Sequence, residues 1–195
     1  HFKVCREVFR AMVTLCESDI MKPYIDAEHG IKTAAGNEQI EFKNGSRILF
    51  MARENNALRG FSKISRLILD EGQILSERAM SDIVPTMNTS DNPQMILMGT
   101  PPKPTDPSEV FTNTRMSALD KSSEGLLFVE FSAERGCDLD DRDQWAKANP
   151  SVPDRTPVRA IARMRKTFAS PDDFAREALG IWDGLEGQRV IQAED

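Results

Sequence analysis

The chain has 195 residues, 39% of them hydrophobic and 29% charged, enough for one sizeable core with an appendage. No apolar run approaches the length of a membrane span and no signal peptide is visible. The formal net charge of −6 supplies no global field for nucleic acid, so any such contact has to be local. Cys5, Cys16 and Cys137 lack metal-ligand spacing and read as reduced core residues of an intracellular protein, while His1 and His29 are too isolated for a zinc site.

The chain opens with "HFKVCREVFRAMVTLCES", an amphipathic helix with no initiator Met. Phe2, Cys5, Phe9, Met12 and Cys16 recur at three- and four-residue steps, with Val8 and Val13 expected to widen the stripe. In "IEFKNGSRILFMA", two alternating runs flank Asn44-Gly45, a hairpin signal. The connection "RENNALRGFSKIS" leads into a strand over Arg66–Leu69. A helix is expected from Ser76 to about Met87, opened by Ser76 and Glu77. After the Asn92-Pro93 turn, "QMILMGTPP" reads as a second short buried strand ending at Gly99-Thr100. Two continuously apolar strands joined through a helix predict a right-handed βαβ unit in a parallel sheet. Pro101, Pro102, Pro104 and Pro107 then hold a stiff exposed loop, Ser108–Leu119 reads as helix, and "GLLFVEFSA" as a further strand.

Beyond Gly136 the texture changes to short helices broken by proline-containing turns, with Thr156-Pro157 and Ser170-Pro171 as helix starts. A small helical subdomain is expected at about residues 138–184, with Trp145 and Trp182 as anchors packing it on the sheet. Arg155, Arg159, Arg163, Arg165 and Lys166 read as one solvated helix face, a phosphate-backbone contact being the lesser reading. Both ends, "HFKVCREVFR" and "GQRVIQAED", are abrupt, as expected of a piece of something longer.

The chemistry-bearing stretch is "RLILDEGQ", in which an apolar strand runs straight into Asp70 and Glu71. Carboxylates are costly to bury unpaired, so the pair belongs where the strand emerges. In open parallel sheets ligands lie beyond the carboxyl ends of the strands, which places Asp70, Glu71 and Thr100 on one rim. That set suits nucleoside triphosphate hydrolysis. One acid helps to hold Mg²⁺ through water, the next orients and deprotonates the attacking water, and a hydroxyl senses the terminal phosphate. Arg59, in the loop before the strand, could add positive charge in the transition state. A strand that merely ends at the surface in two solvated acids, with Thr100 a turn residue and Arg59 a solvated loop residue, is the plainer alternative.

The ordered set "GSRILFMARENNALRGFS", "RLILDEGQILSE", "PQMILMGTPP", "WAKANPSV" and "FAREALGIWDG" resembles the ATPase domain of phage terminase large subunits, particularly those of HK97-like tailed phages. The resemblance spans most of residues 45–184. It implies an α/β fold, a partial P-loop NTPase of the ASCE type with a mostly parallel sheet and a small helical linker subdomain. On that reading residues 1–137 are a partial ATPase domain, 138–184 the linker and 185–195 the lead-in to a nuclease domain. The resemblance makes Asp70 the Mg²⁺-binding acid of a Walker B motif, Glu71 the catalytic glutamate, Thr100 the coupling residue and Arg59 an arginine finger. It implies ATP and Mg²⁺ as cofactors, and double-stranded DNA, a portal protein, a small terminase subunit and further copies in a ring as partners. The implied setting is the cytoplasm of an infected or lysogenic bacterial host, with no membrane. The chain departs from the pattern: no G-x-x-x-x-G-K-[ST] occurs in it, and the nuclease's acidic cluster is expected after Asp195. The phosphate loop is therefore expected upstream of His1, and the chain alone is expected to be inactive as an ATPase. The rival readings are a non-catalytic prophage remnant or binding module with a vestigial Walker B, and another ASCE-type motor such as a helicase, whose later motifs are not found.

Overall fold

The computed structural model describes residues 2–34, 36–51 and 61–183, with side chains from Cys5 onward. The chain forms two compact units, residues 1–61 and 62–195. Arg59 and the stretch 185–195 lie outside the described residues.

In the first unit, helix α1 (Phe2–Cys16) packs on an antiparallel sheet of β1 (Ile31–Lys32), β2 (Glu38–Glu41) and β3 (Arg47–Phe50). The β2–β3 hairpin is the one expected around Asn44-Gly45, with Glu41 opposite Arg47 and Ile40 opposite Ile48. Gly45 takes φ of 81°, a left-handed conformation open to glycine at little cost. The Asn44 side-chain oxygen accepts the Ser46 N–H at 3.0 Å and so clasps the turn. Phe9, Cys16, Ile40 and Phe50 form the core, with the Phe9 and Phe50 rings edge-to-face at 5.1 Å. Val13 and Met12 pack against it, whereas Val8 is exposed. At about 100° per residue, Val8 stands about 100° round the helix from Phe9 and Val13 only about 40°, which is why the stripe widens on one side alone.

The second unit begins with β4 (Arg66–Leu69), paired in parallel with β5 (Gln94–Leu97) so that Leu67 faces Met95 and Leu69 faces Leu97. Between them lies α2 (Glu77–Ile83), whose first turn is capped by the Ser76 hydroxyl accepting the Ala79 N–H at 3.2 Å. A 3₁₀ turn over Val84–Met87 completes the expected helical stretch. The fold class is thus mixed α/β, but the sheet is not mostly parallel. Among the described residues only β4 and β5 pair in parallel, and the three-stranded sheet is antiparallel. Nor are these strands buried on both sides: Leu67 and Leu69 are buried while Ile68, Met95 and Ile96 are exposed.

Helix α3 (Glu109–Leu119) follows as expected, but "GLLFVEFSA" does not join a sheet among the described residues. It runs without ladder partners until the Ala133 N–H donates to the Leu179 carbonyl at 2.9 Å. Its strand-like composition is real, but composition cannot supply a partner, and Leu127, Val129 and Phe131 stay exposed. Open strand edges and apolar side chains beside them invite pairing with other chains. Concentration-dependent self-association is therefore expected. Sedimentation equilibrium should show the average mass rising with loading, and a sharp monomer at high concentration would count against it.

Helices α4 (Arg142–Ala148), α5 (Val158–Thr167) and α6 (Pro171–Leu179) form the helical segment. Phe174, Leu179, Ile161, Trp145, Ala178 and Ala133 are its buried core. Ser170 caps α6 as read from the sequence, its hydroxyl accepting the Asp173 N–H at 3.4 Å. At α5 the register is one residue later than expected. Pro157 itself stands at the cap position, and the Thr156 hydroxyl pairs with that of Ser151 at 2.8 Å instead. Arg176 is buried on α6, where its guanidinium bonds Asp173 at 2.8 Å and Asp183 at 3.1 Å. Burial works against its charge, but the two carboxylates more than offset that and leave its pKa raised. Trp145 lies inside this helical core, its indole N–H donating to the Leu139 carbonyl at 2.8 Å. Trp182 instead stacks on Phe111 of α3, with centroids 5.8 Å apart, beneath the Arg115 guanidinium.

Candidate active site

The site is built at the ends of β4 and β5. Past Leu69 the two strands stay hydrogen-bonded: the Met98 N–H donates to the Leu69 carbonyl at 2.9 Å and the Gly72 N–H to the Met98 carbonyl at 2.6 Å. Between these bonds the chain turns sharply at Glu71, a left-handed residue with φ 55° and ψ 48°. Such a conformation costs a non-glycine residue of the order of 1 kcal/mol or more and recurs at functional sites. The turn leaves Asp70 and Glu71 exposed at the rim and carries Gly72 and Gln73 into the interior. An Asp70 carboxylate oxygen accepts the Glu71 N–H at 3.0 Å, which fixes the first acid beside the turn.

Gly72 is held by packing. A Cβ there would lie 2.9 Å from the Phe111 ring and 3.2 Å from the Met98 carbonyl oxygen. Gly99 is tighter still, since a Cβ would come within 2.2 Å of the Gln73 side-chain oxygen. Its role is thus more specific than easing a turn into the prolines. It lets the end of β5 pass against a buried carboxamide.

That carboxamide links the rim. Gln73 Nε2 donates to Glu71 Oε2 at 2.6 Å and reaches the Thr100 hydroxyl at 3.3 Å. Glu71 and Thr100, expected on one rim, are therefore brought together through a shared neighbour, with Asp70 adjacent to Glu71 in the turn. Gln73 is the residue that sequence reasoning missed. The signal was present in "DEGQ", but its partner Thr100 is 27 positions away. The basic set divides as well. Arg155, Arg159, Arg163 and Lys166 are exposed, as expected of a solvated face. Arg165 turns inward to Asp140, at 3.2 Å, and lies over the Phe174 ring.

No cluster of three or more metal-ligating side chains occurs among the described residues. The donor set at the rim suits Mg²⁺ more than a caged metal. Magnesium keeps several waters and takes one or two carboxylates together with substrate phosphates, and Asp70 is an exposed carboxylate at a strand end. No helix of the described residues is long and apolar enough to cross a membrane.

The fold is mixed α/β, with two acids and a hydroxyl at the ends of adjacent parallel strands. The chain's fold is similar to that of the HK97 bacteriophage large terminase in its crystal structure, with a TM-score of 0.74 over 92% of this chain. The two share 16% sequence identity, and the match spans 38% of the terminase chain. The likeness is one of fold. No protein-family model matches the chain, and no curated protein matches it in sequence.

Proposed function

We propose that the chain is part of the ATP-hydrolysing motor of a phage terminase large subunit, which packages double-stranded DNA into procapsids. The observation that carries this reading is the joining of Glu71 to Thr100 through Gln73 at the ends of two parallel strands, on a fold like that of a large terminase. Glu71 is the general base that orients and deprotonates the attacking water. Thr100 is the coupling residue at the neighbouring strand end, and Arg59 supplies positive charge, from its own subunit or a neighbour's. Asp70 holds Mg²⁺ largely through water; the ion's part is to offset phosphate charge. The phosphate cradle belongs to a segment outside this sequence, which contains no Walker A motif. The partners of this reading are DNA, a portal protein, a small terminase subunit and a ring of further copies.

The test is ATP hydrolysis by the full-length protein as Mg²⁺ is varied. Asp70→Asn is expected to raise the Mg²⁺ concentration for half-maximal turnover about tenfold or more, since losing a group that holds a metal through its bound waters typically costs about 10–100-fold in affinity. An unchanged Mg²⁺ dependence would remove Asp70 from the site. A full-length protein without Mg²⁺-dependent hydrolysis would remove the ATPase reading itself.

A further inference from the structure

Gln73 is 7% exposed, and its side-chain oxygen is buried with no hydrogen-bond partner among the described residues. Buried polar atoms are nearly always paired, and leaving one unpaired is costly. A leucine or methionine of similar size would avoid that cost. The carboxamide is held by its nitrogen, which donates to Glu71 Oε2 and Thr100 Oγ1. The amide orientation follows from chemistry. Exchanging oxygen and nitrogen would set a carbonyl oxygen 2.6 Å from a carboxylate oxygen, which repels, whereas an NH₂ carries two hydrogens for two acceptors. Gly99 completes the arrangement, since any side chain there would displace the carboxamide.

We propose that Gln73 is a positioning residue that couples the base to the hydroxyl. Its two N–H groups hold one oxygen of Glu71 and the oxygen of Thr100 in one hydrogen-bonded unit. Because Thr100 Oγ1 accepts from Gln73, its own proton points away from the amide and is available to donate to a ligand oxygen. A shift of Thr100 toward a ligand pulls on the amide and thereby re-aims Glu71. Gln73 makes no contact with the reacting atoms. This inference rests on the hydrolytic reading of the same rim.

The variant that separates positioning from packing is Gln73→Met, which keeps the volume and removes both donors. In the full-length protein it is expected to lower kcat for ATP about tenfold or more, with KM changed less than about threefold and the thermal midpoint retained. The scale is that of losing one hydrogen bond to a charged group. Gln73→Glu, which sets a carboxylate against Glu71, should do more harm than Gln73→Met. Thr100→Val combined with Gln73→Met should cost much less than the product of the single effects, as members of one unit do. Wild-type kcat in Gln73→Met, or fully multiplicative effects in the double variant, would overturn the proposal. A second reading needs no turnover. In the chain itself, the ¹H–¹⁵N signals of the Gln73 carboxamide should move on Glu71→Ala and on Thr100→Val. If the wild-type protein hydrolyses nothing, the functional reading fails, and these signals decide the contact. If they stay put in both variants, the contact itself is wrong.

Discussion

Phe174→Ala is expected to cost about 3–5 kcal/mol of unfolding free energy, among the largest losses expected from a single truncation in the helical segment. Phe174 is fully buried in the core that also holds Ile161 of α5, Trp145 of α4 and Leu179 of its own helix. The Trp145 ring meets it edge-to-face with centroids 6.4 Å apart, and the Arg165 guanidinium lies 5.5 Å from its centroid. Truncation therefore leaves a void shared by three helices, each tied to the others by more than this one ring. Asn149 donates to the Ala178 carbonyl at 2.9 Å and Arg165 pairs with Asp140. Those bonds keep the helices from closing over the space, which places the cost toward the upper part of the range. Set against a domain stability of about 5–15 kcal/mol, such a loss leaves a marginal fold. Urea unfolding should show the midpoint falling sharply. Leu127→Ala is the control: Leu127 is 88% exposed, and a change within about 0.5 kcal/mol is expected. Comparable losses in the two variants would mean that the helical core is not organised around Phe174.

What the sequence made legible was local. The strand Arg66–Leu69, its capped helix and the Asn44-Gly45 hairpin each carry their own signal within a few residues. The turn glycine, the serine cap and the alternation act on neighbouring backbone, so short-range chemistry decides them. What stayed hidden depends on partners far away in the chain. "GLLFVEFSA" has the composition of a strand, but a strand exists only when a ladder forms, and no composition reports that. Apolar runs on β4 and β5 suggested cover on both faces, whereas Ile68, Met95 and Ile96 face outward. The roles of Gly99 and Gln73 were invisible for the same reason. One is set by the other's side chain, across a gap of 26 positions. The acids themselves were legible because a carboxyl pair after an apolar run can be placed by solvation cost alone. Their geometry was not, since it depends on a left-handed turn at a residue that is not glycine.

Glu71→Gln in the full-length protein is expected to lower kcat for ATP by about 10²–10⁴-fold, the range general-base catalysis supplies, while ATP binding is retained. The substitution is nearly isosteric, and it keeps a carbonyl oxygen able to accept from Gln73 Nε2 where the carboxylate now does. The residue is exposed and its left-handed backbone is asked equally of glutamate and glutamine, so the fold should be little disturbed. What changes is the ability to take a proton. Loss of kcat with unchanged KM would therefore report chemistry rather than packing or substrate contact. On the proposed function, in which other residues supply the phosphate cradle and Asp70 holds Mg²⁺, substrate affinity should survive. Glu71→Asp sharpens the point. It keeps the base but draws the carboxylate back by one methylene from both the water and Gln73, so its loss should fall between those of the wild type and Glu71→Gln. If Glu71→Gln turned over ATP at the wild-type rate, the strand would end in two acids for solvation alone, and the hydrolytic role would have to pass to a residue outside this turn.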